Sequence, residues 1–248
     1  MRTANPALNS KTFTDIAHLS VPSESMTIQG TVNKTFLLLI LVLVPASWVW
    51  NMFFNSGNAQ TIMPWLWVGI IGGFLVALIT VFKKQWSPIT APLYSALEGL
   101  ALGGVSAFFE AQFPGIVIQA VALTFGTLLC LLMAYKSGII RATENFKLGV
   151  VAATGGIALI YIVTMILGFF GISMPYIHES GIIGIGFSVF VVIIAALNLV
   201  LDFDFIENGV QSGVPKFMEW YAAFGLMVTL IWLYLEILRL LSKLRSRR

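Results

Sequence analysis

The chain has 248 residues, 58% of them hydrophobic and only 10% charged, with a formal net charge of +3. A soluble domain carries about 25% charged residues, so this much apolar surface has to face lipid and cannot be folded into one water-surrounded core. The few basic residues sit at segment ends and form no patch, which argues against nucleic acid as a partner.

Residues 1–34 are polar, rich in Ser, Thr, Asn and Pro, and read as a cytoplasmic tail, partly disordered. They do not resemble a signal peptide, because the first apolar run opens only at Thr35 and no small-residue cleavage site follows it. That run is expected to stay as a membrane anchor. Residues 35–241 form the membrane domain, and residues 242–248 a basic tail.

Seven apolar stretches follow, at Thr35–Phe54, Pro64–Phe82, Ile89–Phe109, Gly115–Tyr135, Leu148–Phe170, Gly181–Leu201 and Tyr221–Leu241. Each is near the roughly 20 residues that a spanning helix needs. The links are short and hold breakers such as Ser56-Gly57-Asn58, Ser87-Pro88, Phe113-Pro114-Gly115 and Ser173-Met174-Pro175. The pattern predicts an all-α integral membrane protein, a bundle of seven spanning helices with antiparallel neighbours. Trp48, Trp50, Trp65, Trp67 and Trp86 fall near predicted helix ends, where amphipathic rings prefer the membrane interface.

Small residues mark where helices can approach. Gly99 and Gly103 share a face of the third stretch, Gly155-Gly156 lie in the fifth, and Gly181, Gly184 and Gly186 open the sixth. The last group could also serve as a hinge. The lone Cys130 lies inside an apolar run, can form no internal disulfide, and reads as a small packing residue.

Lys and Arg set the orientation. Arg2, Lys11 and Lys34 precede the first stretch, Lys83 and Lys84 follow the second, and Lys136, Arg141 and Lys147 follow the fourth; the alternate links have none. This alternation places the N-terminus in the cytoplasm. The sixth-to-seventh link, with Lys216, then falls on the cytoplasmic side, and so do Asp202, Asp204 and Glu207. Lys243, Arg245, Arg247 and Arg248 break the rule. Either the upstream helices override it or the last segment turns back; the length of Tyr221–Leu241 and its lack of a Gly-Pro break favour a full crossing.

Acids inside apolar runs are costly and are usually paired or functional. The sixth stretch ends in Asp202, Asp204 and Glu207, with Asn198 one turn before Asp202 and on its face. Asp202 and Asp204 point to different sides of a helix, so one acid can face the bundle while the others face water. Glu236 lies well inside the seventh stretch. It could meet Asp202 and share a proton with it, a pH-sensitive latch between two helices. It could equally pair with Arg239, three residues on, and both arrangements can coexist. Glu98, deep in the third stretch, reads as a polar residue along a path; Glu110 reads as solvated. Asp202 and Glu236 offer the hard oxygen ligands that suit calcium.

Other chemistries fail on inspection. His18 and His178 are too few for catalytic zinc. Asp202-Phe203-Asp204 opens like an EF-hand loop, but Glu207 stands where that loop needs Gly. Gly186-Phe187-Ser188-Val189-Phe190 lacks the second Gly of a nucleophile elbow. Gly184-Ile185-Gly186 is followed by Phe187 where a membrane aspartyl protease would have Asp. There is no nucleotide loop, and no enzyme activity or cofactor is expected.

The chain resembles the Bax inhibitor family, also called the transmembrane Bax inhibitor motif family, in its bacterial branch with a polar N-terminal extension. The resemblance rests on Asn5-Pro6-Ala7-Leu8 and Met26-Thr27-Ile28-Gln29-Gly30-Thr31 in the tail. In the core it rests on the run from Leu97 to Gly103, on Asn198 to Glu207, and on Tyr234 to Leu241. It implies a helical bundle with the last helix near the centre. It also implies a calcium leak in the bacterial inner membrane, controlled by pH through one acid on the sixth helix and one on the seventh. The family's sixth-helix motif, Asp followed four residues later by Ile, falls on Asp202 and Ile206. The seventh-helix acid is usually Asp, and Glu236 stands there instead. Some relatives carry a Glu in the second helix; Pro64–Phe82 has no acid, and Glu98 is the nearest substitute. Lys83 and Lys84 lie near a basic cluster of relatives. Calcium or another cation would be cargo, the lipid bilayer the main partner. The alternative implied by the resemblance is a non-conducting regulator that binds other membrane proteins, such as a membrane protease, through its polar tail.

Overall fold

A computed structural model describes residues 25–171 and 181–247. Long helices dominate them: α1 (Ile28–Ser56), α2 (Met63–Phe82), α3 (Ser87–Gln112), α4 (Ile116–Lys136), α5 (Glu144–Phe169), α6 (Ile182–Gln211) and α7 (Met218–Ser246). Six of these seven are long and apolar enough to cross a membrane; α3 is the exception. The expected seventh span is therefore a helix of sufficient length whose composition is too polar to be recognised as one. His178 and the Ser173-Met174-Pro175 link lie outside the described residues, as does most of the N-terminal tail.

Local chemistry sets the helix ends. Thr27 is extended and caps α1 by accepting the Gly30 N–H. α1 stops at Gly57, whose φ of 60° is the left-handed conformation that glycine adopts without steric cost. Pro64 and Pro88 sit in the first turns of α2 and α3, where a missing N–H leaves no hydrogen bond unmade. Thr143 caps α5 by accepting from Phe146 N–H.

Several helices exceed their apolar runs. α1 begins at Ile28, ahead of Thr35, so the last part of the predicted tail is helical. α5 begins at Glu144, ahead of Leu148, and takes in Lys147, which the sequence places in a link. α6 continues to Gln211, so Asp202, Asp204 and Glu207 lie within a helix and not beyond its end. Polar turns extend a helix as readily as apolar ones, because the backbone hydrogen bonds continue; hydropathy marks only the part that meets lipid.

The chain divides into two compact units. In one, whose described residues lie within Pro6–Pro114 and Phe205–Val228, α3 packs against both α1 and α2. Glycines permit the approach. A Cβ on Gly103 would come within 2.5 Å of the Ala46 carbonyl oxygen, and one on Gly99 would collide with Val42 O and Pro45. From α2, Gly69 rests against the backbone of Leu97 and Ala101, 2.6 Å from where a Cβ would sit. The predicted Gly99/Gly103 face is thus a helix contact. Being covered on two sides by protein, α3 tolerates Ser87, Thr90, Ser95 and Ser106 among its buried residues.

The segment before α1 is tied into the same unit. Met26 is buried and its N–H donates to Val214 O at 2.7 Å, while Ser25 bridges to Pro215 in the α6–α7 turn.

The other unit, within Gly115–Asp204 and Thr229–Arg248, holds α4, α5, most of α6 and the second half of α7. Ile157, Val191 and Ile194 form one apolar core cluster there, flanked by Ala153, Tyr161, Phe187, Leu197 and Trp232. A Cβ on Gly155, Gly156, Gly181 or Gly186 would meet open space, so these are not the close-packing positions that the sequence suggested. Leu159, Met165, Ile182 and Phe190 are exposed, as lipid-facing side chains are. Of the six spans, α7 is the most buried.

Candidate functional site

Three polar clusters lie along α5 in the second unit, each reaching a partner on α6 or α7. Lys147, Thr154 and Tyr161 are seven residues apart in turn, which places them on one face at steps of about 10 Å.

At the start of α5, Lys147 is buried, with 3% of its side chain exposed. Its ammonium lies 2.8 Å from Asp204 Oδ2 and 3.6 Å from Glu144 Oε1. In the middle, the Asn198 amide donates to Thr154 Oγ1 and to Ile194 O, both at 2.8 Å. Asn198 thus ties α6 to α5 through its nitrogen, where the sequence offered it as an oxygen on the Asp202 face.

At the far end, Glu236 is 2% exposed. One Arg239 nitrogen donates to both its oxygens, at 2.8 and 2.9 Å, and to the Tyr161 hydroxyl at 2.8 Å. The Tyr161 hydroxyl in turn donates to Glu236 Oε1 at 3.0 Å, and the guanidinium lies 5.4 Å from the Tyr161 ring. Of the two sequence alternatives for Glu236, its ion pair with Arg239 is present. Two turns on, buried Lys243 donates to Gly184 O at 3.1 Å and Ser188 Oγ at 2.9 Å, both at the start of α6.

Asp202 is buried at 1% exposure, one turn after Asn198 on α6. Asp204, two residues on, reaches Lys147. In the first unit, Glu207 is exposed and accepts a long hydrogen bond from Gln211, at 3.4 Å. Glu98 is half-buried on α3, hydrogen-bonded with Tyr94 one turn earlier. A Cβ on Gly73 would come within 3.0 Å of Glu98 Oε1, so α2 leaves room for this carboxyl.

Residues missed by sequence reasoning complete the picture. Glu219, 1% exposed, accepts from Thr27 N–H at 3.0 Å and from the Thr27 hydroxyl at 2.9 Å, and pairs with Lys34. A side chain on Gly30 would overlap this carboxylate. The Met26-Thr27-Ile28-Gln29-Gly30 segment is therefore shaped around Glu219 in the opening turn of α7. Lys147 and Tyr161 were also missed; the seven-residue spacing of Lys147, Thr154 and Tyr161 was the available signal. Among the described residues, no three His, Cys, Asp or Glu side chains converge on one point.

Charged side chains buried within long apolar helices define a multi-pass helical membrane protein with an internal polar face. The chain belongs to the Bax inhibitor 1 like family, whose model matches residues 5–246. No curated protein matches the chain, and no solved structure does.

Proposed function

We propose that the protein is a passive, pH-sensitive leak for calcium or a similar cation in the bacterial inner membrane. It would form a seven-helix bundle with the last helix near the centre and the N-terminus in the cytoplasm. The observation that carries this reading is the burial of Asp202 and Glu236 on two membrane-spanning helices, at 1% and 2% exposure. Acids at such depth are retained for pairing or transport. Asp202, near the Lys147–Asp204 end of the α5 polar face, and Glu236, at its Tyr161 end, are the two proton-responsive acids of the path; Arg239 and Tyr161 hold Glu236 in its resting position, and Glu98 is a polar point along the path. Calcium is cargo and not a resident cofactor, and no catalytic step is assigned.

The test is calcium flux into liposomes from mildly acidic to mildly alkaline pH, for wild type, Asp202→Asn and Glu236→Gln. A pH-dependent flux that either substitution flattens is expected. Absence of flux above empty liposomes at every pH, with folded protein, overturns the leak and supports a non-conducting regulator of other membrane proteins. On that second reading the docking element is the tail before Ser25, since Met26, Thr27 and Lys34 are committed to contacts within the chain.

A further inference from the structure

We propose that Lys147 is a charge gate on this pathway, resting on the leak reading above: its ammonium covers Asp204 in the closed state and passes to Glu144 when the path opens. Two costs make this lysine a poor structural choice. It is buried, which strips water from an ammonium ion. It also stands one turn inside the N-terminus of α5, where the helix dipole presents its positive end. Leucine or methionine would fill the position without either cost.

Two carboxylates offset the charge, and they differ in kind. Asp204 is 2.8 Å away with a side chain 16% exposed. Glu144 is 3.6 Å away, on the same helix, and 70% exposed. The ammonium is thus within reach of an inner and an outer partner, and a rotation about the flexible lysine stem exchanges them without moving a helix. With Lys147 on Asp204, that acid is neutralised and a positive charge stands at the end of the α5 polar face. With Lys147 on Glu144, the Asp204 carboxylate loses this neutralising charge, and its negative charge, two residues from Asp202, attracts an incoming cation. Lys147 also begins the ladder that continues through Thr154–Asn198 to Tyr161–Glu236–Arg239. The gate therefore stands at the opposite end of that ladder from Glu236.

The experiment is passive calcium flux into liposomes at the pH of lowest wild-type flux. Lys147→Met removes the covering charge and should raise flux roughly tenfold, the low end of what one sign of charge at a mouth does to counter-ion entry. Lys147→Arg should stay near wild type, and adding Asp204→Asn to Lys147→Met should remove the gain. Glu144→Gln, at an exposed position that folding tolerates, removes the open-state partner and should lower flux severalfold at the pH of highest flux. A structural role for the pair gives no such opposite signs. If wild type conducts and responds to pH while Lys147→Met and Glu144→Gln leave flux unchanged, the gate is overturned and the leak stands. If wild type does not conduct at any pH, both are overturned.

Discussion

Replacing Glu219 with Ala tests how the N-terminal segment is held. The carboxylate is 1% exposed and accepts from the Thr27 N–H and hydroxyl while pairing with Lys34. Hydrogen bonds to a charged group contribute about 1.5–3 kcal/mol each. Lys34, with 19% of its side chain exposed, can turn to water when its partner is lost, so its share is smaller. Thr27 is itself exposed, so its two donors can also reach water, and the expected loss is about 2 kcal/mol, below the about 3–5 kcal/mol for breaking a fully buried pair. For a chain of this size that corresponds to a fall in Tm on the order of 5 °C. The assay is thermal unfolding in detergent, read by recovery of the monodisperse protein. Lys34→Met alone should also destabilise, because it leaves a buried carboxylate without its cation. The double variant should be no worse than Glu219→Ala, giving a coupling of about 2 kcal/mol. Additivity of the two single losses to within about 0.5 kcal/mol would refute the coupling, and a loss below about 1 kcal/mol for Glu219→Ala would refute the burial argument.

Three further outcomes follow from the geometry. Gly103→Ala should destabilise by about 1–3 kcal/mol in the same unfolding assay, since its Cβ would press on Ala46 at 2.5 Å from the carbonyl oxygen and 2.8 Å from Cα. Gly155→Ala, facing open space, should be neutral or gain up to about 1 kcal/mol of helix propensity. Tyr161→Phe keeps the ring beneath Arg239 but removes the hydroxyl shared with Glu236, and should cost about 1–2 kcal/mol. A matching loss in Tyr161→Phe and Tyr161→Ala would show that the ring contributes nothing.

Features set by neighbours along one helix were legible. The Glu236–Arg239 pair is three residues apart on α7, and the Gly99/Gly103 face is four residues apart on α3; both are present as read. The positions of most spans were also legible, because lipid demands a continuous apolar stretch wherever it is met. The same signal misled at helix ends and at α3. It stopped α6 at Leu201, whereas the helix runs on to Gln211, and it placed Lys147 in a link. Helical hydrogen bonding does not end where hydropathy does, and a helix covered by protein need not be apolar all round.

By itself, then, the sequence determined that the chain is a helical membrane protein with a few costly acids inside its apolar runs. Length and hydropathy are properties of each segment alone, so no partner was needed to read them. Tertiary structure decided which charges meet. Thr27 and Glu219 are 192 residues apart, and Tyr161 and Glu236 are 75 apart. Lys147 finds Asp204 on another helix. Such pairings depend on how far each helix is rotated and shifted against its neighbour. A rotation of one residue, about 100°, would turn the same side chains toward lipid, and no local pattern records which rotation the packed unit adopts.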